Sequence, residues 1–102
     1  MDKPFEYQVE WDPAKAAANV KKHRVTFEEA ASLFLDPSAL TFWDPDHSEQ
    51  EDREITIGRS ARRRVLFVAH APRDGRVRII SARRATRQER KQYEEAVGEA
   101  TQ

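Results

Sequence analysis

The chain has 102 residues, of which 38% are hydrophobic and 35% charged, and its formal net charge is zero; this composition is typical of one small globular domain with a modest core. It contains no cysteine, which excludes disulfide bonds and cysteine-ligated zinc and suits a reducing compartment. No apolar run approaches the roughly 20 residues of a membrane span, so we expect a cytoplasmic protein without membrane contact. We expect one domain over residues 1–102, with its core over about 5–98.

The first part of the chain predicts one strand and one helix. Alternating apolar and polar residues over Phe5–Trp11 predict a half-buried strand. Asp12 and Pro13 are typical of a helix N-cap and first helical position, and the helix is expected to end at about His23. Its predicted inward-facing residues are Ala16, Ala17 and Val20.

A second helix follows after a very short connection, so the two helices are expected to form a hairpin. Thr26-Phe-Glu-Glu29 predicts a capping box, with Val25 and Ala30 placed as a hydrophobic staple. The helix is expected to reach about Leu35 and to stop at Asp36-Pro37. Its predicted buried residues are Phe27, Ala30, Ala31 and Phe34.

Four strands and a third helix complete the chain. The predicted strands are Ala39–Trp43, Glu54–Arg59, Arg64–Ala71 and Val77–Ala82. The strand Arg64–Ala71 is apolar on both faces, which indicates a central strand. Short turns make neighbouring strands antiparallel. A second capping box at Thr86–Glu89 predicts a helix to about Gly98. The order β-α-α-β-β-β-β-α predicts an α+β fold: a single twisted antiparallel β-sheet with a helical hairpin and a C-terminal helix packed on it.

Positive charge is concentrated in one part of the chain. Residues 1–58 carry a net charge of −7, residues 59–91 carry +10, and residues 92–102 carry −3. Such a basic block attracts polyanions by releasing condensed counterions. All but one of its twelve cations are arginine, whose planar fork matches phosphate. We therefore favour a nucleic-acid-binding surface over a solvated charged face.

The stretch Arg78–Tyr93 passes from an apolar strand through a short turn into a basic helix start. A helix start presents unpaired N–H groups to an anion, and the neighbouring arginines add charge-assisted hydrogen bonds. The candidate catalytic residues that bind phosphate are Arg59, Arg83, Arg84 and Arg87. Further phosphate contacts are predicted for Arg62, Arg63, Arg78 and Arg90.

A nuclease that works without a metal must also position the 2′-hydroxyl and protonate the leaving oxygen. Arginine suits neither task because its pKa is too high. His23, His70 and Tyr93 are the acid–base candidates. Each also has a structural interpretation: a partner for a helix C-terminus, a hydrogen-bonded core histidine and a core tyrosine.

The acidic loop that follows the second predicted strand contains a possible divalent-metal site. Its candidate ligands are Asp44, Asp46, His47 and Glu49. Their spacing matches no strict ligand pattern, and a solvated loop is the favoured interpretation. We therefore expect neither a metal nor another cofactor.

Several short motifs resemble the BrnT toxins of bacterial type II toxin–antitoxin systems. They are Glu10-Trp-Asp-Pro-Ala-Lys15, Asn19-x-Lys21-Lys-His23, Thr26-Phe-Glu-Glu-Ala30, Asp44-Pro-Asp-His-Ser-Glu49, Thr56-Ile-Gly-Arg59 and Arg78-Ile-Ile-Ser-Ala-Arg-Arg-Ala-Thr86, followed by Glu89-Arg90 and Tyr93. They occur in family order over about residues 5–95, and Ser-Ala-Arg-Arg-Ala-Thr is the most specific. The chain departs at Arg24, where the family commonly has glycine. A helix end there favours the left-handed conformation that glycine adopts freely.

The resemblance implies a RelE-like α+β fold and a metal-independent ribonuclease that halts translation. It also implies a BrnA-type antitoxin that neutralises the toxin in a hetero-oligomer, and contact with DNA only through that antitoxin. The residues themselves leave two other functions open. One is a non-catalytic nucleic-acid-binding module that uses the same arginines, and the other is a protein whose basic strip docks an acidic partner.

Overall fold

The computed structural model of the protein describes residues 8–47 and 52–100, the last two by their backbone alone. The elements are β1 (Val9–Glu10), α1 (Pro13–His23), α2 (Phe27–Ala31) with a following 3₁₀ turn (Ser32–Leu35), β2 (Leu40–Trp43), β3 (Glu54–Arg59), β4 (Val65–Arg73), β5 (Arg76–Arg84) and α3 (Arg87–Ala100). The α+β class and the order of elements are confirmed. Phe5 and Tyr7, predicted in the first strand, lie outside the described residues.

The five strands form one sheet in the order β1-β5-β4-β3-β2, with β4 in the centre as predicted. Strands β2 to β5 are antiparallel to their neighbours. β1 instead lies parallel to β5, with Val9 opposite Val77. The prediction of a wholly antiparallel sheet is therefore wrong at this edge. β1 joins the other strands through the helical hairpin, and a connection of that length allows a parallel neighbour, whereas a tight turn does not.

The helices cover both faces of the sheet. On one face, the hairpin of α1 and α2 packs Phe27 and Leu33 into a cluster with Leu66 and Val68 of β4. On the other face, Tyr93 of α3 packs into a second cluster with residues of β3 and β4. We call these the hairpin face and the α3 face. Strands β3 and β4 thus bury both of their faces, which explains the continuous apolar run of β4.

The first helix of the hairpin is rotated relative to the predicted pattern. Ala16 of α1 is half-buried as predicted, but Ala17 and Val20 are exposed and Asn19 is buried instead. The Asn19 amide donates to Val25 O at 2.9 Å and to Ala82 O at 2.8 Å, and its oxygen accepts from Ala82 N at 3.1 Å. A buried polar side chain with its bonds satisfied thus holds α1 on β5.

After Ala31 the second helix tightens into the 3₁₀ turn. The tighter winding moves the buried position from Phe34, which is only half-buried, to Leu33, which is fully buried. Phe34 lies edge-on to His70, with ring centroids 5.1 Å apart. The prediction that Phe34 is a core residue of this helix is therefore wrong by one position.

The junction between the two helices has the left-handed turn that glycine favours, although the residue there is arginine. Arg24 ends α1 in the left-handed conformation, with φ 60° and ψ 33°, and its N–H donates to Val20 O at 2.9 Å. A non-glycine residue is strained in this region. The carbonyl of Arg24 accepts a hydrogen bond from Arg64 Nη2 at 3.1 Å, which helps to hold the strained turn.

Within residues 8–47 and 52–100, no helix combines the length and the apolar character needed to cross a bilayer.

Candidate nucleic-acid interface

The arginines converge at one end of the sheet. β3 ends at Arg59 opposite Val65, the first residue of β4, and β5 ends at Arg84 opposite Leu66. The β3–β4 turn and the start of α3 lie at the same end. Five exposed arginines meet there, and we call them the basic rim: Arg59, Arg62, Arg63, Arg84 and Arg87. Arg90, one helical turn after Arg87 on α3, is exposed as well.

The basic rim makes no ion pair with any carboxylate in the part of the chain that the structure describes. The charge of Arg59 acts on the Asp36 carboxylate only at a longer range than that of an ion pair. Exposed guanidinium groups without a carboxylate partner keep their hydrogen-bonding capacity for an external anion. The rim therefore offers donors from two strand ends, a turn and a helix start.

A β-bulge in β5 decides which arginine faces which side of the sheet. The pairing shifts between Ala69 and His70, so that Ile79 and Ser81 lie opposite consecutive residues of β4 and Ile80 is the extra residue. As a result Arg83, opposite Phe67, lies on the α3 face. Arg84, opposite Leu66, lies on the hairpin face.

Arg64 is held within the protein. Its Nε donates to Glu29 Oε2 at 2.9 Å and its Nη2 to Glu29 Oε1, while Ser60 Oγ donates to Glu29 Oε2 at 2.6 Å. The hydrogen bonds from Arg64 chiefly hold the pKa of Glu29 below its usual value. This buried pair ties α2 to the turn that carries Arg62 and Arg63.

The predicted capping box at the start of α2 is therefore only half formed. Thr26 Oγ1 accepts from Glu29 N at 3.0 Å, as predicted. The Glu29 carboxylate does not return to the Thr26 N–H because it binds Arg64 and Ser60. A fully buried ionised carboxylate requires charged or hydroxyl donors, and Arg64 and Ser60 supply them.

Arg83 is also engaged within the protein. Its Nη1 and Nη2 donate to the two oxygens of Glu89 at 2.8 and 2.9 Å, and Nη1 also donates to Arg84 O at 3.2 Å. Its Cζ lies 3.9 Å from the centroid of the Phe67 ring. The side chain nevertheless remains 34% exposed.

Glu89 has a second bond at the start of α3. It accepts from Thr86 N at 2.8 Å, and Thr86 Oγ1 accepts from Glu89 N at 3.2 Å, so the predicted capping box is complete here. Burial alone would raise the pKa of Glu89, but the bonds from Arg83 and Thr86 outweigh it and lower the pKa. Glu89 is therefore an ionised anchor for Arg83.

Arg59 rests on Tyr93, with its Cζ 5.8 Å from the ring centroid. The Tyr93 hydroxyl donates to Asp36 Oδ2 at 2.7 Å, and Arg59 N donates to the same oxygen at 2.8 Å. Burial raises the pKa of Tyr93 and the bond to Asp36 raises it further. Tyr93, only 3% exposed, thus supports the strand end that carries Arg59, with its proton directed at Asp36.

Gly58 makes this close approach possible. A Cβ at this position would lie 2.9 Å from Ala39 Cβ and 3.2 Å from Asp36 Oδ2. Only a residue without a side chain lets the Asp36 loop sit against the end of β3.

The structure does not bring His70 or Arg78 to the basic rim. His70 lies opposite Glu54 and Ile79, at the other end of the sheet, and Arg78 lies opposite Ala71. His70 is 5% exposed and its Nε2 is 2.7 Å from Thr56 Oγ1. Burial lowers the pKa of His70 to about 4. It is a neutral core histidine at ordinary pH.

His23 has a different location. It ends α1, beside the Arg24 carbonyl that binds Arg64, and is half-buried. Of the two candidate histidines, His23 alone lies on the same side of the molecule as the β3–β4 turn.

The first part of the acidic loop, residues 44–47, lies at the end of the sheet opposite the rim, because it follows Trp43, which pairs with Glu54 at the start of β3. Asp44 Oδ2 is 3.2 Å from His47 Nδ1, and Asp44 Oδ1 accepts from Asp46 N at 3.2 Å. Glu49 lies outside the described residues. Among residues 8–47 and 52–100, no three side chains of a kind that binds metal come together.

Sequence reasoning missed Phe67 and Asp36 as parts of this site. Phe67 was interpreted as part of an apolar central strand, and Asp36 as a helix stop. The aromatic residue of β4 could have been matched to Arg83 only with the strand register, which local patterns do not specify across a bulge.

Comparison with known proteins adds a family and a fold. The sequence profile of the family described as "Ribonuclease toxin, BrnT, of type II toxin-antitoxin system" matches residues 11–89, which include the whole basic rim. The structure is similar to the crystal structure of the ribonuclease toxin BrnT of Brucella abortus, with 24% sequence identity and a TM-score of 0.61 over 80% of this chain and 100% of that chain. No curated protein sequence matches the chain.

Proposed function

The chain belongs to the BrnT family of ribonuclease toxins of type II toxin–antitoxin systems, and from this premise we propose that it cleaves RNA without a metal ion and thereby halts translation in the cytoplasm. In this reaction the 2′-oxygen attacks the adjacent phosphorus and the bond to the 5′-oxygen breaks. The products are a 2′,3′-cyclic phosphate and a 5′-hydroxyl. We further propose that a BrnA-type antitoxin silences the protein in a hetero-oligomer, and that DNA is contacted only through that antitoxin.

The observation that carries this proposal is the basic rim itself. The phosphorane formed during the attack has more negative charge than the phosphate in the substrate, so donors fixed in advance stabilise it preferentially. Arg59, Arg84 and Arg87 are presented by two strand ends and a helix start, and among residues 8–47 and 52–100 no carboxylate forms an ion pair with them. In this proposal they supply the charge stabilisation that a metal ion supplies in other nucleases.

Proton transfer needs a group with a pKa nearer to neutrality than that of arginine. In the proposed mechanism His23 protonates the leaving 5′-oxygen, because it ends α1 next to Arg24, whose carbonyl binds Arg64, and imidazole is the side chain most often used as a general acid. Tyr93 holds Arg59 in place and His70 has a structural role in the core. This divides the three acid–base candidates by their surroundings.

The test is RNA cleavage by the purified chain in EDTA, with identification of the product ends. Arg59→Gln and Arg84→Gln change one rim residue on each face of the sheet, and Arg73→Gln, at the far end of β4, is the matched control. We expect loss of about 10²-fold in rate for rim variants on the face that binds RNA, in the range for removal of one oxyanion donor, and little loss for the control. Cleavage lost in EDTA and restored by magnesium would contradict metal independence and favour the Asp44–Glu49 loop.

The alternative function, a non-catalytic nucleic-acid-binding module, predicts a different result. It would give salt-sensitive RNA binding that depends on the same arginines, without cleavage. The cellular test is induced expression with growth and translation as readouts, with and without a neighbouring antitoxin reading frame. Growth arrest that the neighbour relieves supports the toxin; unchanged translation contradicts it.

A further inference from the structure

Arg83 differs from the rim arginines because hydrogen bonds within the protein already use its terminal nitrogens. Glu89 occupies both terminal nitrogens of its guanidinium, and Arg84 O accepts a further bond from Nη1. An end-on bidentate phosphate contact needs the same two N–H directions that Glu89 already uses. To bind phosphate in that way, Arg83 would have to leave a partner that is ionised and anchored at a helix start.

One plane of the guanidinium is also occupied. Phe67 lies directly across from Arg83 in the β4–β5 pairing, and Arg83 Cζ is 3.9 Å from the ring centroid. The end of the guanidinium thus binds Glu89 and one plane lies over Phe67, while 34% of the side chain remains exposed to solvent.

We propose that Arg83, held flat between Phe67 and Glu89, is a stacking platform for one nucleobase of a single-stranded RNA. Planar guanidinium groups and aromatic rings are the surfaces on which unpaired bases stack in single-stranded RNA recognition. The inference rests on the proposed function in so far as RNA is the ligand.

The surroundings fit a nucleotide whose base and phosphate are held by different residues. Arg59 faces the same side of the sheet as Arg83, since their partners Val65 and Phe67 are two apart on β4. Arg87 begins the helix that covers this face. Neither of these two rim arginines forms an ion pair with a carboxylate of the described residues, and in this proposal they hold the phosphates that flank the stacked base. Stacking is tolerant of base identity, so the platform predicts a fixed position of one base with little sequence preference at it.

The test is a thermodynamic cycle between Arg83 and the bases of the ligand. The probe is a short single-stranded 2′-O-methyl RNA, which lacks the nucleophile and resists cleavage, together with versions that have one abasic site at each position in turn. Arg83→Lys keeps the charge and removes the plane, and Arg87→Lys is the matched control on a free arginine. Phe67→Leu removes the ring beneath the platform, and melting temperatures check that each variant is folded.

We expect one abasic position to weaken binding to the unchanged protein by between about five-fold and about a hundred-fold, the range for one stacked base. In Arg83→Lys that abasic site should cause no further loss of affinity, and in Phe67→Leu it should cause a smaller loss than in the unchanged protein. In Arg87→Lys it should cause the full loss. Arg83→Gln should leave the salt dependence of binding unchanged, whereas Arg87→Gln should reduce its logarithmic slope by about 0.7.

Two results would overturn the platform. One is an abasic scan that is the same in Arg83→Lys and in the unchanged protein. The other is a reduced salt slope in Arg83→Gln, which would mean that Arg83 leaves Glu89 to bind a phosphate. Cleavage is measured separately: a chain that shows the base coupling but cuts no RNA disproves the proposed ribonuclease while the platform stands, and the reverse result disproves only the platform.

Discussion

At the scale of single residues, arginines of identical chemistry differ in function because their neighbours differ. Arg64 and Arg83 face carboxylates that are themselves fixed, Glu29 by Ser60 and Glu89 by Thr86. Their guanidinium groups therefore stabilise the β3–β4 turn and the start of α3. Arg84, one residue after Arg83, turns to the other face, where it forms no ion pair with a carboxylate in the described part of the chain. An exposed, uncommitted guanidinium is what a phosphate ligand requires.

His70 gives a pH-dependent prediction. Its pKa is about 4 in the folded chain against about 6.5 for the free side chain. Between these values the unfolded chain binds more protons than the folded chain, so stability is lost as the pH falls from about 6.5 to about 4 and is fully present above that window. The free energy of unfolding should fall by up to about 3 kcal/mol more in the unchanged protein than in His70→Gln. Denaturant titrations of both across this range measure the difference, and parallel curves would contradict the assignment.

Asn19 gives a test of how α1 is rotated. Asn19→Ala leaves two buried carbonyls and one buried N–H, at Val25 and Ala82, without their partner. The expected loss is about 2–4 kcal/mol, since each unsatisfied buried group costs about 1–3 kcal/mol before relaxation. Val20→Ala is the control, because Val20 is 39% exposed and should cost well under about 1 kcal/mol. A larger loss for Val20→Ala than for Asn19→Ala in chemical denaturation would favour the rotation predicted from apolar spacing.

At the scale of elements, the site depends on how a strand ends and a helix begins. The bulge at Ile80 directs Arg83 to the α3 face, and the capping box of Thr86 and Glu89 then starts α3 beside it. The same carboxylate that caps the helix orients Arg83. Local helix geometry and the position of a candidate RNA contact are therefore coupled through Glu89.

Thr26→Ala and Thr86→Ala test this coupling. Each removes a hydroxyl that accepts from a backbone N–H at a helix start, so each should lower the free energy of unfolding by about 0.5–2 kcal/mol. Thr86→Ala should also reduce RNA cleavage, because it disturbs the helix start that presents Arg87 and Glu89. Melting curves measure the change in stability of each variant, and cleavage rates measure the change in activity. Two variants that are equally stable and equally active would mean that the site does not depend on the start of α3.

At the scale of the whole molecule, charge is separated along the sheet. The basic rim occupies the end where β3 meets β4, while Asp44 and Glu54 lie at the other end. An acidic ligand is thus attracted most strongly to the rim, because the other end combines these carboxylates with Arg73 and Arg76. Because RNA and an antitoxin that covers the rim would use the same arginines, we expect them to exclude one another. An ordinary protein interface of about 800 Å² per partner is large enough to cover the rim.

A charge reversal tests this arrangement. Arg84→Glu should reduce both RNA cleavage and the rate of association with the antitoxin, and it should weaken the salt dependence of that association, because electrostatic attraction accelerates the encounter. Arg73→Glu, at the far end of β4, is the control. Association rates at two salt concentrations are the measurement. Lost cleavage with an unchanged antitoxin rate at both salt concentrations would show that the antitoxin binds another face and inhibits from there.

The sequence by itself determined the elements and the location of the charge. Caps, prolines and hydrophobic periods are local signals, so α1, α3 and strands β2 to β5 were predictable to within a few residues. The concentration of arginine in residues 59–91 was sufficient to indicate a nucleic-acid surface. Motif order alone indicated the family that residues 11–89 match.

Only the tertiary structure decided which residues of that stretch are free to act. The parallel pairing of β1, the bulge at Ile80 and the rotation of α1 depend on contacts between residues distant in sequence, for which local patterns carry no information. Arg64 and Arg83 are paired by Glu29 and Glu89, whereas Arg59 and Arg84 are not. Charge is a property of the sequence, but its availability depends on which partners the fold brings within a hydrogen bond.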